Sequence, residues 1–396
     1  MAMRALFLVL LTVACSSPAG PGRDAARGAG SATAGSAAEQ AAPQRELVLF
    51  QHGVDGYPNY RIPAIARTAR GVLLAFAEGR QRAHDHAEND LVLRRSLDDG
   101  ATWQPVQVVA AAGRDCLSNP CAVALRSGRV LLVHQRYAQG FDEHAAEPGF
   151  EGPRVCRTFL QHSDDDGRTW SAPREITRSV KRAEATSVAS GPGIGIELAR
   201  GVHAGRVLVP MNQGPFGAWE VYAALSDDGG ATWRMGQIAP GGELHRPNEV
   251  QFAERDDGSV LLDARGMAGA KRRKLAESHD GGDTWSAVRD VDELVEPRCM
   301  GALLRHAASG LLLRCGPRSE SRRERGTVWA SADGGATWPA RVEIVAGSFA
   351  YSGLVELDGG GVGVVYEDDA VGAIRFLRLE AAALPRPPAA GAAIPR

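Results

Sequence analysis

Five times the chain repeats nearly the same eight residues: SLDDGATW from residue 96, SDDDGRTW from 163, SDDGGATW from 226, SHDGGDTW from 278 and SADGGATW from 331. Successive starts are 67, 63, 52 and 53 residues apart, a spacing at which repeated supersecondary units assemble into solenoids or propellers. The octet has its own mechanics. Asp and Gly support a tight turn, the Ser and Asp side chains can bond to turn amides, and the Trp supplies an apolar plug where the chain re-enters a strand. Between the octets lie short β-type runs such as VLLAFAE, RVLLVHQ, SVLLDAR and VGVVYED, bounded by Gly, Asp or Pro. Helical periodicity is not sustained anywhere. The repeat therefore predicts an all-β, six-bladed β-propeller of four antiparallel strands per blade over residues 45–382. Its sixth blade, lacking an octet, would be closed by strands near residues 47–50 and 373–379. A calcium loop is the competing reading of DDDG, but the string is short and the required glutamate is missing. The octets build a scaffold, so any chemistry belongs at the hollow between the blades.

A formal charge of −2 over 396 residues gives no global pull toward nucleic acid, and none is expected as a partner. Of the 45 basic residues 42 are arginine, so a lone arginine carries little weight. Residues 1–15, with Arg4 before an apolar run, read as a signal peptide that resembles the bacterial lipoprotein type, with Cys15 as the lipid-bearing residue. Residues 16–44 read as a flexible Ala/Gly/Ser/Pro linker and 383–396 as a disordered tail. An exported protein, lipid-anchored at a bacterial surface or secreted, is the expectation. The remaining five cysteines are an odd number, so at least one stays free or pairs between chains. No CxxC occurs, and no metal or cofactor is expected.

Four further strings accompany the octets in order: YRIP at 60–63, LLAFAEGR at 73–80, YSGL at 351–354 and VVYE at 364–367. Together they resemble exo-α-sialidases of bacterial and animal kinds. The resemblance implies a six-bladed propeller and hydrolysis of terminal sialic acid with retention, through a tyrosine nucleophile and without a cofactor. Position by position, it implies that Arg61, Arg265 and Arg323 hold the substrate carboxylate, with Arg322 and Arg325 as alternatives for the third. Planar guanidinium forks suit that task, since they bind a carboxylate bidentately. Glu367 would orient Arg61. Tyr351 would be the nucleophile, because a carboxylate approaching the anomeric carbon would be repelled by the sugar's own. Glu249 would take the phenol proton, and nearby arginines would favour phenolate character. Asp85 would be the acid/base, with Asp90 as its rival, while Arg80 would contact the sugar or brace the Asp85 loop. Asn119, in SNPC, would touch the ring substituents.

Sialylated glycans of glycoproteins, gangliosides or oligosaccharides are the implied substrates, and a monomer the expected state. Three alternatives stay open on the residues alone: transfer of sialic acid or hydrolysis of a related nonulosonic acid, a non-catalytic binding propeller, and a two-carboxylate glycosidase.

Overall fold

The computed structural model describes residues 45–388. The expected leader with Cys15, the linker and residues 389–396 of the expected tail lie outside the described residues. Almost all regular structure is β, in a propeller-like arrangement of consecutive antiparallel units. The terminal unit joins both ends of the domain: Arg45–Gln51 pairs with Ala373–Leu379, which continues through Val362–Asp368 to Ser352–Glu356. Two other four-stranded sheets run Pro247–Glu254, Val260–Gly266, Arg272–Ser278, Arg289–Val295 and Ala302–Arg305, Leu312–Pro317, Glu324–Ser331, Ala340–Ser348. A five-stranded sheet is built around Val207–Gln213 and Glu220–Ser226.

The expected six separate blades do not emerge from the hydrogen bonding. Among the described residues it gives five sheets, one of nine strands whose main path runs from Asn59–Arg67 to Arg174–Glu175. The cause is local: the strands Asn89–Ser96 and Cys116–Ala124 meet in a single parallel bridge, Asn89 to Cys116, which ties two antiparallel runs into one sheet.

Each octet begins at the last residue of a strand and turns the chain within a network repeated five times. The serine hydroxyl donates to the aspartate two residues on and accepts from the glycine amide four residues on, at 2.7–2.9 Å. The same aspartate accepts from the amide and the hydroxyl of the threonine. The aspartates are thus consumed by the turn. The tryptophans lock neighbours together: Trp103 meets Phe376 of the terminal sheet at 5.1 Å, and Trp170 meets Phe76 at 5.8 Å, both edge-on. Ser331 is 1% exposed. Its replacement by alanine strands the Gly335 amide and should cost about 1–3 kcal/mol in denaturant unfolding. Activity at 25 °C should not change, and an unaltered unfolding midpoint would refute this account of the turn.

Strands sandwiched between neighbours are buried on both faces, as in Leu73–Arg80, where every residue is buried. Leu384, beyond the last strand, packs into the core beside Leu377 and Leu379. Cys116, Cys121, Cys156, Cys299 and Cys315 are all buried free thiols.

Candidate active site

Three strands that each open a run, Asn59–Arg67, Cys116–Ala124 and Pro247–Glu254, carry the same irregularity. Their pairing register shifts at Arg61–Ala64, Ser118–Cys121 and Pro247–Val250. A bulge re-aims the side chains beside it, and these three deliver Arg61, Asn119 and Glu249 to one cavity of about 330 Å³. At two of them the backbone turns left-handed, with φ of 59° at Ile62 and 54° at Asn119. Each turn has a visible use. The Ile62 amide joins Arg61 Nε on Glu367 Oε1, both at 2.7 Å. The Asn119 amide donates to Glu78 Oε1 at 2.8 Å.

At the cavity's base Tyr351 is 5% exposed and stands among Ile62, Cys299, Met300 and Ala350. Its hydroxyl donates to Glu249 Oε1. Arg265 Nη1 bonds both the Tyr351 hydroxyl, at 2.8 Å, and Glu249 Oε2, at 2.6 Å. The guanidinium carbons of Arg61 and Arg323 lie 5.5 and 5.2 Å from the centre of the Tyr351 ring. Three arginines therefore converge on one phenol. Arg61 is tied to Glu367, and Arg265 to Glu249, whereas no described residue forms an ion pair with Arg323, which leaves its fork for an incoming anion. The other arginine choices point elsewhere: Arg322 pairs with Glu324 and Arg325 with Glu343.

Burial pushes the Tyr351 phenol well above its ordinary range; Arg265 and Arg323 oppose the rise and Glu249 adds to it. The arginines pull toward phenolate as expected, but desolvation outweighs them in the free protein, and the proton stays on oxygen beside a waiting carboxylate. That geometry suits a nucleophile activated only as it reacts.

Across the cavity Asp85 sits on a loop with its side chain 72% exposed, bonded to Arg80 Nη1 at 2.7 Å. Withdrawal from water raises its carboxyl, but Arg80 and then Arg61 outweigh this and hold it below the usual range. Arg80 itself is anchored by Glu78, which is fully buried and pushed upward by desolvation despite the guanidinium beside it. Arg80 thus braces the loop. Asp90 accepts from the Tyr57 hydroxyl at 2.8 Å and does not line the cavity.

Several lining residues were not singled out from the sequence: Glu78, Tyr137, Glu143, Asn212, Phe216 and Trp219. Only Glu78 left a signal, an acid inside the apolar run LLAFAEGR. His86 packs edge-on against Tyr137 at 4.6 Å, and burial lowers its imidazole to about 4, so it is neutral at physiological pH. Burial, partly opposed by His144 and reinforced by Glu249 and Asp85, pushes the Glu143 carboxyl up to about 7.

A family model described as a BNR repeat-like domain matches residues 71–364. The chain is 33% identical over 339 residues to a sialidase of Micromonospora viridifaciens, covering 81% of this chain and 52% of that protein. It is 29% identical over 341 residues to a sialidase of Bacteroides fragilis, covering 80% of this chain and 61% of that one. It thus spans little more than half the length of these relatives. Among solved structures, the Hadza microbial sialidase Hz136 superposes with a TM-score of 0.77 at 27% identity, over 86% of this chain and 69% of that one.

Proposed function

Since this chain belongs to the exo-sialidase family with BNR repeats, we propose that it is a retaining exo-α-sialidase that removes terminal sialic acid from glycoconjugates through a covalent bond to Tyr351. The observation that carries this reading is the closed set of bonds among Tyr351, Glu249 and Arg265 beneath two further guanidinium groups. A binding module has no use for a phenol paired with a base at the floor of an anion pocket. A glycosidase working through two carboxylates would leave that phenol idle.

On this reading the sugar carboxylate lies on Arg61, Arg265 and Arg323. Asp85 protonates the glycosidic oxygen as the bond to the anomeric carbon breaks. The Tyr351 oxygen attacks the opposite face while its proton passes to Glu249. Asp85, now a carboxylate, then draws a proton from water, which displaces the tyrosine oxygen; Glu249 returns its proton to the phenol. Two inversions amount to retention. Asp85 is held ionised in the free protein by Arg80. The incoming sugar carboxylate offsets the arginines' field and covers the loop, both of which raise the carboxyl toward the protonated form that the first step needs. The test is NMR during hydrolysis of an α-sialoside: the α-anomer of free sialic acid should appear first. Initial release of the β-anomer would exclude the covalent route.

A lining carboxyl poised near neutrality gives a pH prediction. Glu143 is neutral below about pH 7 and anionic above it, where it repels a bound carboxylate. The Kd of a non-reacting sialic acid analogue should therefore rise about three- to tenfold between about pH 6 and 8. Glu143→Gln should flatten that rise. An equal slope in both proteins would remove Glu143 from the cause.

We further read the nine-stranded sheet as two four-stranded blades joined by the single Asn89–Cys116 bridge, with the two-residue strand Gly193–Ile194 added alongside Cys121–Ala122, so that the propeller has six. The N-terminal pattern supports export, with the folded domain beginning near residue 45. Sialylated glycoproteins, gangliosides and free oligosaccharides all present the terminal sugar this pocket requires.

A further inference from the structure

Four charged side chains that do not line the catalytic cavity are fully buried together: Asp263, Arg273, Glu296 and Arg314. Arg273 Nε donates to Asp263 Oδ1 at 2.5 Å and its Nη1 to Glu296 Oε2 at 3.2 Å. Arg314 Nε lies 3.4 Å from Asp263 Oδ2. Two carboxylates and two guanidinium groups leave the set neutral. We propose that Glu296, held by Arg273, is a positioning residue that sets the distance between Arg265 and Tyr351. The proposal rests on the sialidase reading above and adds to it a group outside the cavity.

The first argument is what Glu296 holds. Pairing between the strands Val260–Gly266 and Arg272–Ser278 ends at Ala264–Lys274, one residue short of Arg265. Past the end of that ladder the Gly266 amide donates to Glu296 Oε1 at 3.0 Å. The other oxygen, Oε2, accepts from the Cys299 amide at 3.2 Å, and the Cys299 carbonyl accepts from Arg273 Nη1 at 2.9 Å. Cys299 and Met300 share one apolar cluster with Tyr351. A single carboxylate thus ties the strand end that carries Arg265 to the segment packed with the phenol. The chemistry uses the dimension it spans, since Arg265 Nη1 reaches the Tyr351 hydroxyl at 2.8 Å and Glu249 at 2.6 Å.

The second argument is strain. Between Glu296 and Cys299 the chain turns through Arg298 with a left-handed φ of 58°. A residue with a side chain persists there where its surroundings enforce it, and the Glu296 carboxylate closes this turn on the Cys299 amide. The third argument is energetic. A buried ion pair is a poor source of stability, because well-packed apolar residues of similar volume often serve a core as well or better. The geometry that this pair fixes between two groups of the site accounts for its presence.

The test uses two variants. In Glu296→Gln a single amide oxygen can serve the Gly266 side or the Cys299 side, and not both. Glu296→Gln combined with Arg273→Met also removes the second charge of the pair and leaves Asp263 with Arg314. Each should lower kcat/KM for 4-methylumbelliferyl α-sialoside by about 10- to 100-fold, the loss expected when reacting groups are misplaced by about 1 Å. The double variant carries the test if the single one does not fold. Native activity in the double variant would overturn the proposal, and so would its failure to fold, which would make the network a structural one.

A second measurement separates positioning from general scaffolding: the Kd of a non-reacting sialic acid analogue, with and without Arg265→Lys. The double replacement should raise Kd about tenfold when Arg265 is present and less than about twofold when it is already replaced, because the group it positions has gone. Equal factors in the two backgrounds would overturn the proposal and leave the sialidase reading intact. A wild-type protein that neither cleaves the sialoside nor binds the analogue would overturn the sialidase reading, and the positioning role with it.

Discussion

Replacing Tyr351 by phenylalanine is expected to lower kcat/KM for an α-sialoside by on the order of 10³-fold or more, with the fold and the affinity for a sialic acid analogue almost unchanged. The substitution removes one oxygen and keeps the ring, so the contacts with Ile62, Met300 and Ala350 and the flanking guanidinium groups of Arg61 and Arg323 persist. Glu249 keeps its bond to Arg265 and is not left as an unpaired buried charge. What disappears is the atom that forms the covalent bond. The loss should therefore fall on turnover and spare binding, and a variant that binds poorly but turns over normally would contradict the assignment. If Tyr351 were a core tyrosine satisfied by Glu249, its loss would show instead as a modest stability change with activity intact.

Asp85→Ala carries the second large effect, and its signature is a dependence on the leaving group. A sugar alkoxide is a poor leaving group and needs the proton that Asp85 supplies, so kcat/KM for sialyllactose should fall by about 10²–10⁴-fold. An aryl sialoside releases a stabilised phenolate that needs little protonation, and its kcat/KM should fall far less. That parameter stops at the first irreversible step, so it isolates the acid role from the later base role. The open setting of Asp85, 72% exposed, makes gross unfolding an unpersuasive alternative. Equal losses for both leaving groups would mean that Asp85 positions the substrate and transfers no proton. Asp90, held by Tyr57 away from the cavity, should show no such leaving-group dependence when replaced by asparagine.

What could be read from the sequence, and what could not, follows the range of the forces involved. The octets were legible because each closes its hydrogen bonds within eight residues, from Ser96 to Thr102 for instance, so local chemistry specifies local shape. The closure of the terminal sheet was legible because only the two ends of the chain could complete it. The single bridge between Asn89 and Cys116 was not, since one pair carries no pattern. At the site, motif strings placed Arg61, Arg265, Glu249, Tyr351 and Asp85, and the structure brings them together around one cavity. Arg323 could be separated from Arg322 and Arg325 only when their partners became visible. Glu78 and Glu143 owe their character to burial by segments distant in sequence, which no local string records. At Tyr351 the pull of the arginines toward phenolate was read correctly, but not the burial that opposes it. The arginines were legible as charges, but the depth of the phenol that outweighs them was not.

At the centre of the account is a carbon–oxygen bond between a phenol and the sugar, formed under a grip of guanidinium groups. The most direct test is to trap that bond with a 2,3-difluorosialic acid, whose ring fluorine slows the second step, and to locate the label by peptide mass spectrometry. The protein should gain one sialyl mass on the peptide containing Tyr351, and the Tyr351→Phe variant should gain none. A label on Glu249 or Asp85, or full turnover of natural sialosides with no trapped species at any time, would contradict it.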